Sequence, residues 1–280
     1  MIANKDTIDS PGLTLVLGAT GKTGRHIVKR LQSKGTQFRP GSRSGNPRFD
    51  WSDQSTWSPC LQGIRSVYLN YVPDLAVPGA ADTIDAFLQA CRGSQVEKIV
   101  LLSGRGEAEA QKCERLVQKS GLHWTIIRAS WFFQNFSEGA FLDMVRSGQI
   151  TLPVGKVLEP FIDAEDIADV AVAALTEPGH ADQLYEVTGP RLCSFQDIAD
   201  ELTSAIGRRV EYTEISHEAF IEGVKSSGAP EQVVWLMDYL FSTVLDGRNS
   251  KLADGVQKAL GREPKDFRNF AQETAAQDLW

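Results

Sequence analysis

Three glycines, Gly18, Gly21 and Gly24, stand at G-x-x-G-x-x-G spacing directly after the apolar run Leu13–Leu17 and directly before a helical pattern carried by Ile27, Val28 and Leu31. Between a strand and a helix, such spacing suits one kind of chemistry. The first glycine makes the tight turn, the second lets backbone approach a pyrophosphate, and the third lets helix pack on strand. The phosphates then rest on the free N–H groups and positive dipole end of the helix. Gly18, Thr20, Gly21, Lys22, Thr23 and Gly24 are therefore the expected phosphate-binding residues of a dinucleotide site. A triphosphate loop, G-x-x-x-x-G-K-[ST], is the rival, because Gly21-Lys22-Thr23 ends like one. Its first glycine would have to be residue 16, which is Val16, and the rival is rejected.

The end of the second strand discriminates between the nicotinamide cofactors, since a carboxylate there suits a ribose 2′-hydroxyl and a guanidinium a 2′-phosphate. The residues are Arg39-Pro-Gly-Ser-Arg-Ser44, with two arginines and no carboxylate. A planar, bidentate fork matches phosphate, so NADP(H) is the expected cofactor, with Ser42 and Arg43 its 2′-phosphate contacts and Arg43 preferred over Arg39.

The elements that must position these residues alternate. Apolar runs expected as strands lie at residues 13–17, 37–40, 48–51, 66–70, 98–103 and 123–128, and helical patterns at 79–91 and 107–119. Strands alternating with helices of this length make βαβ units. The fold class expected is α/β, a Rossmann-type doubly wound parallel sheet with a smaller, mostly helical C-terminal lobe. The first domain is expected over residues 11–190, contributing to the substrate cleft from about residue 130, and the lobe over 191–280. Composition narrows the class of function. With 29 Lys plus Arg against 36 Asp plus Glu the net charge is −7, which argues against a nucleic-acid partner. The four cysteines (Cys60, Cys91, Cys113 and Cys193) and four histidines (His26, His123, His180 and His217) fall at no metal-ligand or disulfide-framework spacing, and Cys113 reads as a buried inert thiol. Residues 1–10 read as a frayed, unprocessed N-terminus, and no apolar run reaches membrane-spanning length. A cytoplasmic location follows. The oligomeric state stays open.

Several pieces in order resemble the NmrA-like group of atypical short-chain dehydrogenase/reductases: Val16-Leu-Gly-Ala-Thr-Gly-Lys-Thr-Gly24, Lys98-Ile-Val-Leu-Leu-Ser103, Ser120-Gly-Leu-His-Trp-Thr-Ile-Ile-Arg128 with Trp131-Phe132 and Asn135-Phe136, Pro160-Phe-Ile-Asp-Ala-Glu-Asp-Ile-Ala168 and Tyr185-Glu-Val-Thr-Gly-Pro190. The resemblance spans nearly the whole chain. Gly41-Ser-Arg-Ser44, Phe49-Asp-Trp51 and Val67-Tyr-Leu69 look most like the fungal festuclavine and agroclavine dehydrogenases and their bacterial relatives. It implies a Rossmann domain binding NADP(H), with Asp50 at the adenine edge, Asn70 and Tyr71 at the nicotinamide-ribose end, and Ser103 beside the nicotinamide. For Ser103 a capping role at a strand end is equally compatible. Asp163 and Asp166 resemble the acidic pair opening a family helix and read as N-capping residues.

Ordinary short-chain dehydrogenases use Y-x-x-x-K, a phenol that protonates the carbonyl and a lysine that lowers its pKa. None of the five tyrosines here has a lysine four residues on; Val72, Leu75, Gly189, Ser216 and Thr243 stand there instead. In the helix after Ser103 the expected positions are Ala110 and Glu114. Hydride transfer needs no protein acid when the acceptor is already electron-poor, as quinones, iminium ions and cationic dyes are. Tyr71, Trp131, Phe132, Phe133 and Phe136 offer an aromatic substrate wall with Asn135 as polar anchor, although an aromatic stripe also serves as core. Tyr71 and Ser103 are the only nearby candidate donors. The first reading is an NADPH-dependent oxidoreductase acting on a small aromatic or conjugated acceptor. The alternative is a non-catalytic NADP-binding redox sensor acting through a protein partner. A reductase of plant phenylpropanoid type would want a lysine after Ser103, and the surroundings of Lys112 match it poorly.

Overall fold

The computed structural model describes residues 12–280, so the segment read as a frayed N-terminus lies outside the described residues. Strand β1 (Leu13–Leu17) leads through the glycine turn to the helix Gly24–Ser33 and then β2 (Phe38–Gly41). β3 (Ile64–Leu69), the helix Ala80–Arg92, β4 (Lys98–Gly104), the helix Ala108–Gln118 and β5 (His123–Ala129) follow. β6 (Gln149–Leu152), the helix Ala164–Thr176, β7 (Gln183–Val187), the helix Phe195–Ile206 and β8 (Glu211–Glu214) precede five further helical segments among the described residues. Six strands form one sheet in the order β2-β1-β3-β4-β5-β7, every neighbouring pair parallel. The connections reverse direction between β1 and β3, which opens a crevice beyond the carboxyl ends of the strands.

Both faces are covered because successive strand residues point to opposite sides. Leu15, Leu17, Val67, Leu69, Ile99 and Leu101 pack on the helices Ala80–Arg92 and Ala108–Gln118. The intervening Val16, Tyr68, Val100 and Ile127 pack on the helices Gly24–Ser33 and Ala164–Thr176. A third core belongs to the lobe, where β6 pairs with β8 in parallel. That core draws Phe133, Phe136, Phe141 and Phe161 from before β7, and Phe195, Phe241 and Phe267 from after it.

The strand expected at residues 48–51 does not form. The Asp50 amide donates to Thr56 Oγ1 at 3.0 Å and the Asp50 carbonyl accepts from Trp57 Nε1 at 2.9 Å. Its backbone is thus satisfied by side chains, and β2 remains the sheet edge. No helix among the described residues is long and apolar enough to cross a membrane.

Candidate active site

The glycine turn occupies the switch point. Gly18 has φ +66°, and a Cβ on Gly24 would lie 2.1 Å from the Gly18 carbonyl oxygen, so only glycine lets the helix start this close to the turn. The Gly21 amide donates to that same oxygen at 2.8 Å. No side chain caps the helix; Thr23, at its N-cap, instead pairs its hydroxyl with Tyr68 Oη at 2.8 Å. A ten-residue helix whose positive end has no side-chain cap, entered through a turn with glycine at three of its seven positions, fits an anionic pyrophosphate. Thr20 is exposed at the tip of the turn.

Beyond β2 the two arginines separate in role. Arg39 donates to the carbonyls of Cys60 at 2.6 Å and Gln62 at 2.8 Å, a structural commitment. Arg43 is exposed and has no hydrogen-bond or ion-pair partner among the described residues. Ser42 and Ser44 stand hydroxyl to hydroxyl at 3.4 Å beside it. The Asp50 carboxylate accepts from the Ser52 hydroxyl at 2.7 Å, the Ser52 amide at 3.0 Å and Arg48 at 2.5 Å. Those bonds, the Ser52 hydroxyl first, hold it below the usual carboxylate range.

A cavity of about 310 Å³ opens at the carboxyl ends of β3, β4 and β5. Lys22, Asn70, Tyr71, Ser103, Trp131, Phe132 and Asn135 all line it. Two residues expected in the aromatic wall do not. Phe133 and Phe136 are 1% and 0% exposed and belong to the lobe core, Phe133 against Phe267 at 5.1 Å and Phe136 against Phe141 at 5.2 Å. The reason is local. The chain leaving β5 pairs Phe132 with Ile162 and the Phe133 amide donates to the Ile162 carbonyl, which seats the next ring among other phenylalanines rather than in the cleft. The Lys22 ammonium donates to Asn135 Oδ1 at 2.7 Å, tying the turn to the lobe. Burial pulls the Lys22 ammonium below its ordinary range, with Glu138 opposing and Arg25 adding.

The proton of Ser103 is already engaged. Its hydroxyl donates to Glu114 Oε1 at 2.6 Å, and Glu114 in turn binds Arg128 through Nη2 at 2.5 Å and Nε at 3.0 Å. Ala110 and Glu114, at the positions compared with a Tyr–Lys pair, are 0% and 3% exposed. A buried carboxylate locked to an arginine thus stands where a lysine would. Tyr71 lies with its ring 5.0 Å from Trp51. The sequence reading missed two further wall residues, Asp74 after β3 and Glu107 after β4. Each is an acidic residue just beyond the carboxyl end of a central strand, and that placement is the signal that could have found them.

Comparison with known proteins agrees with this geometry. Residues 18–178 match a family described as NAD(P)H-binding, and residues 108–271 match the NmrA-like family. The chain is 29% identical to the prestalk A differentiation protein A of Dictyostelium discoideum, over 93% of this chain and 91% of the relative. It is 30% identical to an NAD(P)H azoreductase of Xenophilus azovorans, over 94% and 98%, and 29% identical to an agroclavine dehydrogenase of Claviceps fusiformis, over 95% and 98%. An NADPH-dependent quinone oxidoreductase of Escherichia coli, solved with NADPH, superposes with a TM-score of 0.78 at 19% identity, covering 93% of this chain and 99% of that one. With family models each matching more than half of its length in register with the glycine turn and the sheet, the chain belongs to the NmrA-like, NAD(P)H-binding family of atypical short-chain dehydrogenase/reductases.

Proposed function

We propose that the chain is an NADPH-dependent oxidoreductase that passes a hydride to a small, electron-poor, conjugated acceptor, a quinone or an iminium ion, without a Tyr–Lys pair. One observation carries the reading: the cavity beside the glycine turn is walled by Tyr71, Trp131 and Phe132, while the lysine position holds Glu114 bound to Arg128. A flat conjugated acceptor stacks on such a wall. The named activities of the azoreductase, the agroclavine dehydrogenase and the quinone oxidoreductase support the same acceptor class. Bound on the turn, the reduced nicotinamide supplies the hydride. The turn backbone and the uncapped helix hold its pyrophosphate, Arg43 and Ser42 take the 2′-phosphate, and Asn70 and Tyr71 bound the nicotinamide end. Lys22 and Asn135 close the mouth between turn and lobe. All four cysteines are buried and unpaired, which supports a reducing, cytoplasmic setting.

The test is NADPH fluorescence with NADH in parallel, before and after addition of a panel of quinones, iminium ions and conjugated carbonyls. Tighter NADPH binding and decay of the signal with one acceptor class are expected. Binding without decay on any acceptor overturns the enzymatic reading in favour of an NADP-binding sensor.

A further inference from the structure

Hydride transfer to a quinone or an azo bond leaves an anion that must gain a proton, whereas an iminium ion is neutralised by the hydride alone. The wall described so far offers the Tyr71 phenol and the Lys22 ammonium, but no carboxylic acid. Ala110 stands at the tyrosine position, and Ser103 gives its hydroxyl hydrogen to Glu114, whose charge is matched by Arg128. The opposite wall differs. Asp74, from the segment after β3, and Glu107, from the turn after β4, both line the cavity, and the charge of Asp74 bears directly on the Glu107 carboxyl. Two carboxyl groups sharing one buried site disfavour carrying two charges, so the pair favours holding one proton. Asp74 is fixed by the Ala76 amide, which donates to Oδ1 at 2.7 Å. Glu107 is 7% exposed, and its Oε2 is buried with no hydrogen-bond partner among the described residues. An ionised carboxylate left that way is costly. The glutamate also lies directly on the backbone of Gly104, where a Cβ would come within 2.1 Å of Oε1, so a glycine at the end of β4 makes its place. Burial, then the charge of Asp74, then the charge of Glu114, push the Glu107 carboxyl well above the ordinary carboxylate range. Of the two carboxyl groups, Glu107 therefore holds a proton the more tightly.

We propose that Glu107 is the proton donor of this site, giving its carboxyl proton to the anion formed when hydride reaches a quinone-type or azo-type acceptor. The inference rests on the hydride-transfer reading above. In the step the Glu107 O–H bond breaks, its electron pair stays on the carboxylate, and a new O–H or N–H bond forms on the acceptor. The two electrons come from the reduced nicotinamide, and water reprotonates the pair. Asp74 is a positioning residue, which acts by raising the affinity of Glu107 for the proton. The other titratable groups near the pair include Glu114 and the Cys113 thiol of the helix Ala108–Gln118, the Tyr239 phenol of the lobe, and Lys22, Tyr71 and Arg105 of the same cavity wall.

The experiment compares the full-length chain with Glu107→Gln and Asp74→Asn, using NADPH, one quinone and one iminium acceptor. For Glu107→Gln the ratio of kcat on the quinone to kcat on the iminium should fall at least thirtyfold, in the range general acids supply, with the NADPH Kd within about twofold of wild type. For Asp74→Asn the alkaline limb of the quinone pH profile should move to lower pH, because without its neighbour's charge Glu107 loses its proton sooner. That limb is a readout a purely structural role would not move, and it serves if Glu107→Gln folds poorly. An unchanged quinone-to-iminium ratio, equal loss on both acceptors, or an unmoved limb overturns the proposal. Wild-type turnover of iminium ions alone also overturns it. Absence of wild-type turnover on both acceptors overturns the hydride-transfer reading itself.

Discussion

Arg39 and Arg43 flank the same turn after β2, and their surroundings assign them different work. Arg39 ties two carbonyls of the neighbouring segment together, whereas the Arg43 guanidinium is exposed with no partner among the described residues. A free planar fork facing a bound 2′-phosphate forms charge-assisted bonds of about 1.5–3 kcal/mol. Arg43→Ala should therefore weaken NADPH binding ten- to hundredfold and leave NADH binding within about twofold, as read by fluorescence titration of both cofactors. Equal losses would reassign the phosphate contact. The order of motifs along the chain made most of the cavity wall legible, because Asn70, Ser103 and Trp131 each follow an apolar run that had to be a central strand. Asp74 and Glu107 were each legible by position but not as a pair. They lie in the segments after two different strands, and only the pairing of β3 with β4 makes them neighbours.

The turn and its helix behave as one element because Gly24 touches Gly18 through backbone. A methyl group at residue 24 would lie 2.1 Å from the Gly18 oxygen and 2.7 Å from its carbonyl carbon, and neither atom belongs to a flexible side chain. Gly24→Ala should cost roughly 1–3 kcal/mol, the usual range for forcing a methyl into filled space, and weaken NADPH binding more than tenfold because the helix N-terminus is displaced. Thermal unfolding and a cofactor titration check the two effects separately. Apolar runs between turn residues placed β1 to β5 to within a few positions, but no strand was expected at β7, which pairs with β5 at the sheet edge. They misplaced residues 48–51, where Phe49 is buried much as a strand residue would be, but side chains of Thr56 and Trp57 satisfy the Asp50 backbone. Likewise the spacing of Trp131 to Phe136 could not say which rings face the cleft. The lobe core that claims Phe133 and Phe136 is completed by Phe195, Phe241 and Phe267, far along the chain.

Across the whole molecule, the junction between the cavity-side loops and the lobe carries a buried titration. Glu159 is 0% exposed, neither of its carboxyl oxygens has a hydrogen-bond partner among the described residues, and its backbone pairs with Cys193. Burial pushes its carboxyl up to about 7, Arg105 opposing and Asp246 adding, from an ordinary value of 4.5. The folded state thus holds this proton more tightly than the unfolded chain. Its contribution to stability is full below pH 4.5 and is lost as pH rises through about 7, to a total of roughly 3 kcal/mol. Glu159→Gln, neutral at every pH, should be more stable than wild type by roughly 2–3 kcal/mol at pH 8 and close to it at pH 4, by urea unfolding at both values. A constant difference would place the effect in packing instead. The lobe to which this junction leads is assembled from chain on both sides of β7, its aromatic core closing residues 133–161 against residues 193–271. Acceptor preference in this architecture is consequently not a cassette. An exchange between relatives that transplants only the C-terminal third would mate one half of a hydrophobic seam with a foreign partner, and recombination that respects function must carry both stretches together.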